Sequence, residues 1–195
     1  MDIFSTALGL TKQINGFELV CYLLERIKKE FKPVDVEVFE VYGVSGDYSE
    51  QDIPEVENII LRRFNYSGST LRKSSDRSEF HQAILSGNTL IVSDKERQLE
   101  KIVIPVPSKS GPLRLIVVCG MDESPVQRVS LFQTVEIFSN LIMLHDSHER
   151  DKLTGLMNRQ TLYDFYARTV KWDSDDENKL YLAICDIDHF KQIND

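Results

Sequence analysis

Nothing in this sequence of 195 residues approaches the ~20 consecutive apolar residues that a membrane-spanning helix needs. The start, Met1-Asp2-Ile3-Phe4-Ser5, lacks the basic flank and apolar core of a secretory signal. The two absences lead to the expectation of a cytoplasmic protein. Cysteine is scarce: Cys21, Cys119 and Cys185 are odd in number, widely spaced and set in apolar surroundings. Paired spacings would be required for a disulfide framework or a zinc site, so buried, reduced thiols are expected instead. Positive charge is also short, with 23 Lys and Arg against 31 Asp and Glu and a net charge of −8. That argues against broad nucleic-acid binding, which needs a basic surface to displace phosphate counterions. Local nucleotide binding through a metal ion stays open. What is present, 42% hydrophobic and 28% charged residues, is ordinary for a globular protein. The length suits one domain and part of another.

Apolar periodicity divides the chain. Leu8, Leu10 and Ile14, then Phe17, Val20, Cys21, Leu24 and Ile27, recur at helical steps, and Gly16 splits them into two helices, the second ending before Pro33. From Val34 to Tyr42 the period becomes two, the pattern of a half-buried strand. A second strand is expected within Glu57 to Phe64, followed by a long polar loop from Asn65 to Ser78. Phe80 to Leu85 reads as a short helix with Ser78 as N-cap and Gly87 as stop. Leu90 to Val92 is a short strand, and Lys101–Val106 with Leu113–Cys119 form a hairpin. From Pro125 a long helix begins. Its Leu131, Val135, Phe138 and Ile142 have coiled-coil spacing, although packing on a sheet accounts for them equally well. The same register reaches the polar His145, Glu149 and Lys152, so the helix is expected to end as a partly solvated connector. An amphipathic helix follows Arg159, with Leu162, Phe165 and Tyr166 on one face. After a charged loop, Leu180 to Cys185 reads as a strand buried on both faces.

Two motifs near the C-terminus carry chemistry. Asp151-Lys152-Leu153-Thr154-Gly155-Leu156-Met157-Asn158-Arg159 resembles the D-x-L-T-G-L-x-N-R signature that opens GGDEF domains. Asp186-Ile187-Asp188-His189-Phe190-Lys191-Gln192-Ile193-Asn194-Asp195 resembles the same family's D-x-D-x-F-K-x-x-N-D signature. Carboxylates at the tip of an apolar strand suit magnesium, which takes oxygen ligands and bridges to phosphates. The resemblance implies that Asp186 and the Ile187 carbonyl are magnesium ligands. It further implies that Lys191 lies near the phosphates and that Asn194 reads the guanine edge. The implied activity is a diguanylate cyclase: two GTP-loaded domains face each other and form cyclic di-GMP. Taken without the motif, Asp186 and Asp188 are a solvated strand end or an Asx-turn. Thr154-Gly155 reads as a structural hinge. The family's Gly-Gly-Asp/Glu-Glu-Phe turn does not occur in this sequence, so the chain is expected to be a truncated, inactive portion of the enzyme. The competing class is a non-catalytic interaction module with a degenerate GGDEF domain; a phosphodiesterase domain further downstream is a third reading.

The region before this resembles the GAF family, chiefly through Ala83 to Asp94 and the hairpin Ile102 to Val118, with a PAS-like sensor as the structural rival. Leu113-Arg114 departs from it, because many relatives place glycine at the start of the last strand. The resemblance implies a ligand space between the sheet and the crossing helix, walled by Tyr66 to Leu90, with the ligand unknown. His81 is open to two readings, a haem or metal ligand and a structural or exposed side chain; metals demand clustered ligands, which favours the second. Arg62, Arg63, Arg72 and Lys73 are either an anion site or a solvated basic patch. His145 and His148, with Asp146 and Glu149, are either a zinc or pH-sensing face or an exposed polar connector.

The expected fold class is α+β: a GAF-like antiparallel sheet flanked by helices (1–143), an overlapping connector helix (125–150), and the first helix and strand of a cyclase-like GGDEF domain (151–195). A homodimer through the connector helix, GTP as substrate, magnesium as cofactor and an unidentified small-molecule or protein input complete the expectation.

Overall fold

The computed structural model describes residues 3–42, 59–65, 68–71, 77–94, 99–121 and 124–172, together with 183 and 185. Two helices, α1 (Ile3–Thr11) and α2 (Gly16–Phe31), lead into strand β1 (Asp35–Tyr42). The break between them is built by Asn15, whose side chain accepts from the Glu18 amide at 2.8 Å and caps α2. Lys32, left-handed at φ 47°, ends α2. Strands β2 (Ile60–Asn65) and β3 (Gly68–Leu71), helix α3 (Arg77–Ser86) and strands β4 (Leu90–Asp94), β5 (Leu99–Val106) and β6 (Leu113–Cys119) follow. Helix α4 (Pro125–Glu149) then leads to α5 (Arg159–Trp172).

The strands form one antiparallel sheet of order β3-β2-β1-β6-β5-β4. One face carries α1, α2 and α4 over Val36, Val38, Ile102, Ile104, Ile116 and Val118. The other carries α3, whose Phe80, Ala83 and Ile84 pack on Phe39, Val41, Val103 and Leu115. The α+β architecture with a long helix leading out of it agrees with the expectation from sequence.

Several details differ. The polar stretch after Asn65 contains β3, which pairs with β2 through Arg62↔Leu71 to Asn65↔Gly68. Helix α3 starts at Arg77, so Ser78 lies inside its first turn instead of capping it. Strand β1 is central and covered on both faces, and both its glutamates are paired: Glu40 with Arg62 and Arg114, Glu37 with Arg63. Alternation therefore marks salt-bridged positions here, not a solvated face. Arg62 and Arg63 are spent on these pairs, and Arg72 and Lys73 lie outside the described residues.

Leu131, Val135, Phe138 and Ile142 are all buried in the core with α1, α2 and the sheet. The heptad-like spacing of α4 is therefore a core stripe. Of the cysteines, Cys119 is buried, Cys21 half-buried and Cys185 exposed. The strand expected over Leu180 to Cys185 lies outside the described residues apart from Ala183 and Cys185, which are exposed. The described sheet lies entirely between residues 35 and 119. No helix among the described residues is long and apolar enough to cross a membrane.

Candidate functional site

The most unusual chemistry among the described residues lies where α4 leaves the sheet. Arg62, Glu40 and Arg114 stand opposite one another on β2, β1 and β6, a row of alternating charge on the α4 side of the sheet. Above it, Asp146 of α4 is only 2% exposed. Arg114 donates to both carboxylate oxygens of Asp146, at 2.6 and 2.8 Å. Ser108, in the loop between β5 and β6, donates to Asp146 at 2.6 Å, and Arg150 lies 3.6 Å away. Burial by itself would lower the Arg114 pKa, but the hydrogen bond and charge of Asp146, with Glu40, outweigh it and hold the guanidinium raised. Tyr42 donates to Glu40 at 3.0 Å. Burial first, then the Glu40 charge, pushes its phenol up to about 12. Next along α4, Glu149 accepts from the Gly16 amide at 2.7 Å and so ties the start of α2 to the end of α4.

The helix end is thus partly solvated, while the expectation of an exposed polar face there is corrected at Asp146. Asp146 is buried, Glu149 is half-buried and holds α2, and His145 pairs with Glu149 at 3.5 Å. His148 alone of the four is exposed. No group of three potential metal ligands occurs among the described residues. His81 is half-buried on α3.

Immediately after α4 the chain makes a clasp. One Asp151 oxygen accepts from the amides of Leu153 at 3.1 Å and Thr154 at 2.9 Å, and from the Thr154 hydroxyl at 2.8 Å. Gly155 takes φ +68°, a conformation glycine adopts without steric cost, and its amide returns to the Asp151 carbonyl. Asn158 joins the two helices. Its Nδ2 donates to the His148 carbonyl at 2.7 Å, while its Oδ1 accepts from the Thr161 amide and hydroxyl at 3.0 Å, capping α5. Arg150 closes the ring by donating to the Gly155 carbonyl at 3.0 Å. The polar groups of Asp151, Thr154 and Asn158 are thus engaged within the turn.

The hydrogen bonds from the Thr154 amide and hydroxyl hold the Asp151 carboxyl below its ordinary range. A depressed carboxylate stabilises the turn at pH values above the ordinary carboxylate range and loses that contribution as pH falls through the depressed value. The Thr154 amide resonance is expected to shift in an acid NMR titration with that lowered midpoint. Asp151→Asn is expected to abolish the titration; persistence of the same midpoint in the variant would refute the assignment.

Two hollows adjoin this region. A cavity of about 60 Å³ lies between Phe17 and Val20 of α2, Glu40, Arg62 and Arg114 of the sheet, and Thr161 and Phe165 of α5. A more open cleft of about 690 Å³ lies between the loop Lys109–Pro112 and the turn Asp151–Leu156. Beneath α3, where a ligand space was expected, Phe80, Ala83 and Ile84 pack on the sheet, with the Phe39 and Phe80 rings 5.2 Å apart. Leu162, Tyr163 and Tyr166 of α5 are exposed, and Phe165 is half-buried. The amphipathic face expected there is thus largely uncovered.

The ten-residue signature from Asp186, including Asp186, Ile187, Lys191 and Asn194, lies outside the described residues. Residues 148–195 match the diguanylate cyclase GGDEF domain. The GGDEF segment thus begins in the last turn of α4, at the residue whose carbonyl Asn158 grips. No curated protein matches the chain. Among solved structures, the A. aeolicus nlh2 GAF domain in an inactive state aligns with a TM-score of 0.48 at 11% identity, over 75% of this chain and 93% of that one.

Sequence reasoning missed Ser108 as a site residue, weighed Asp146 only within a zinc, pH-sensing or exposed connector face, and noted Arg114 only as a departure from pattern. A signal for Asp146 was present: it stands four residues after Ile142, in line with the buried stripe of α4.

Proposed function

We propose that this chain is the sensory and regulatory region of a diguanylate cyclase, a nucleotidyltransferase that condenses two GTP into cyclic di-GMP. The GGDEF match over residues 148–195 carries the reading. Its support is positional: the GGDEF segment is attached to a helix that is itself a core element of the preceding α+β layers. A change in those layers therefore reaches the cyclase through α4. The N-terminal region, residues 1–143, is the GAF-like input domain, with a small molecule or a protein as its signal.

Asp186 and the Ile187 carbonyl offer the hard oxygen donors that magnesium prefers, so the donor set fits that ion. Magnesium, when bound, neutralises phosphate charge and orients the α-phosphate for in-line attack. Lys191 adds a point charge near the phosphates, and the Asn194 amide offers both a donor and an acceptor to the guanine edge.

Dimerisation through α4 has to use the outer face of the helix, since the Leu131–Ile142 stripe is consumed in the core. Val126, Val129, Gln133, Glu136, Asn140 and Leu144 are exposed at three- and four-residue steps, a second stripe with apolar residues at both ends. Sedimentation at high concentration that shows monomer alone would count against this mode.

The decisive test expresses the complete gene. With GTP and magnesium, a protein carrying an intact Gly-Gly-Asp/Glu-Glu-Phe turn is expected to yield cyclic di-GMP by chromatography, and Asp186→Ala to lower the rate at least about a hundredfold through loss of metal charge stabilisation. GTP left unbound and unchanged overturns the proposal.

A further inference from the structure

We propose that Asp146 is a buried latch through which the loop between β5 and β6 fixes the last turn of α4, and with it the start of the GGDEF segment. The latch rests on packing and hydrogen bonding alone; its use as a signal path rests on the regulatory reading above.

From Leu131 to Ile142 the helix is seated by apolar contacts, which are non-directional and tolerate small rotations. At Asp146 the same buried stripe switches to a carboxylate held by Ser108 and by both terminal nitrogens of Arg114. A bidentate guanidinium–carboxylate pair fixes orientation as well as distance. The last turn is therefore held in a defined rotational setting, as the first turn is by Arg128 on Glu100, and it is the turn from which the clasp hangs. Arg150, one turn on, reaches both Asp146 and the Gly155 carbonyl.

The loop is shaped around this carboxylate. The Ser108 hydroxyl that donates to Asp146 also accepts from the Gly111 amide at 3.1 Å, so the loop is folded over the latch. A Cβ placed on Gly111 would overlap the Asp146 carboxylate itself. Glycine is required there by proximity. A displacement of residues 108–111 consequently withdraws a hydrogen bond from Asp146 and removes the wall behind it, and the last turn of α4 is released while the upper turns stay seated in the core.

Hydrogen exchange by mass spectrometry on the 195-residue chain tests this without nucleotide, so its outcome is independent of whether the cyclase reading holds. Ser108→Ala removes the loop's hydrogen bond, and Gly111→Ala drives a methyl group into the carboxylate. Ile104→Val, in the core of the same sheet face, serves as a control for general loosening. Peptides spanning 146–158 are expected to exchange at least about tenfold faster in both loop variants, with peptides from 131–142 and β6 unchanged. The control is expected to leave 146–158 as in the parent chain. Unchanged exchange across 146–158 in both loop variants would overturn the latch. So would acceleration spread equally over β6 and 131–142, because Asp146 would then be supporting only the stability of the whole.

Discussion

Replacing Arg114 with methionine is expected to destabilise the chain by about 3–5 kcal/mol, the cost of leaving one partner of a buried ion pair uncompensated. The variant keeps much of the side-chain volume, so the loss is electrostatic. Asp146 stays buried with its bidentate donor removed, and Glu40 loses the guanidinium on one side of its cross-strand row. In urea at neutral pH the unfolding midpoint should fall, and in a thermal scan the transition should drop by roughly 6–20 °C. Adding Asp146→Leu to Arg114→Met should recover most of the loss, because a buried ion pair replaced on both sides by apolar groups is often neutral or better. A single variant as stable as the parent would show that Asp146 finds solvent or another donor.

Phe138→Ala should be comparably severe, at about 3–5 kcal/mol, since Phe138 is among the largest fully buried side chains, in the middle of α4. What distinguishes this outcome is its indifference to protein concentration. A residue at a seam between two chains contributes through association, and its unfolding midpoint moves with concentration. Phe138 instead packs within one chain, on the sheet with α1 and α2. The loss measured by urea unfolding should therefore be the same at micromolar and at hundred-fold higher concentration. A concentration-dependent midpoint would return the Leu131–Ile142 stripe to the role of an interface.

These residues also show how far the sequence speaks. The helices and strands with strong periodicity, α2, β1, β5, β6 and α4, were legible because apolar spacing reflects burial directly. The split between α1 and α2 was legible from Gly16, although the capping side chain is Asn15. Strand β3 was not, because Gly68 to Leu71 carries no alternation and is held by pairing with β2. For α4 the period gave the buried face but not its occupant; a helix on a sheet and a helix on a helix select the same residues. The clasp was legible as a motif because its hydrogen bonds are local, all within residues 148–161. The ion network was not, since Ser108 and Arg114 lie 38 and 32 residues before Asp146 and all three look like surface residues when taken singly. Only their three-dimensional meeting converts three solvated groups into one buried constellation.

The Glu149–Gly16 hydrogen bond bears on how such proteins can be recombined. An engineer joining a foreign input module to this output would naturally cut at Arg150, where the helix ends and the motif starts. That splice leaves Gly16 and Glu149 behind together and brings in a helix with no counterpart for Arg150. A junction placed upstream of Asp146 carries Arg150's own partner along but strands that aspartate without Ser108 and Arg114. The transplantable unit is therefore larger than the motif, and a working chimaera has to bring the hairpin loop's chemistry with it or substitute an apolar residue at position 146.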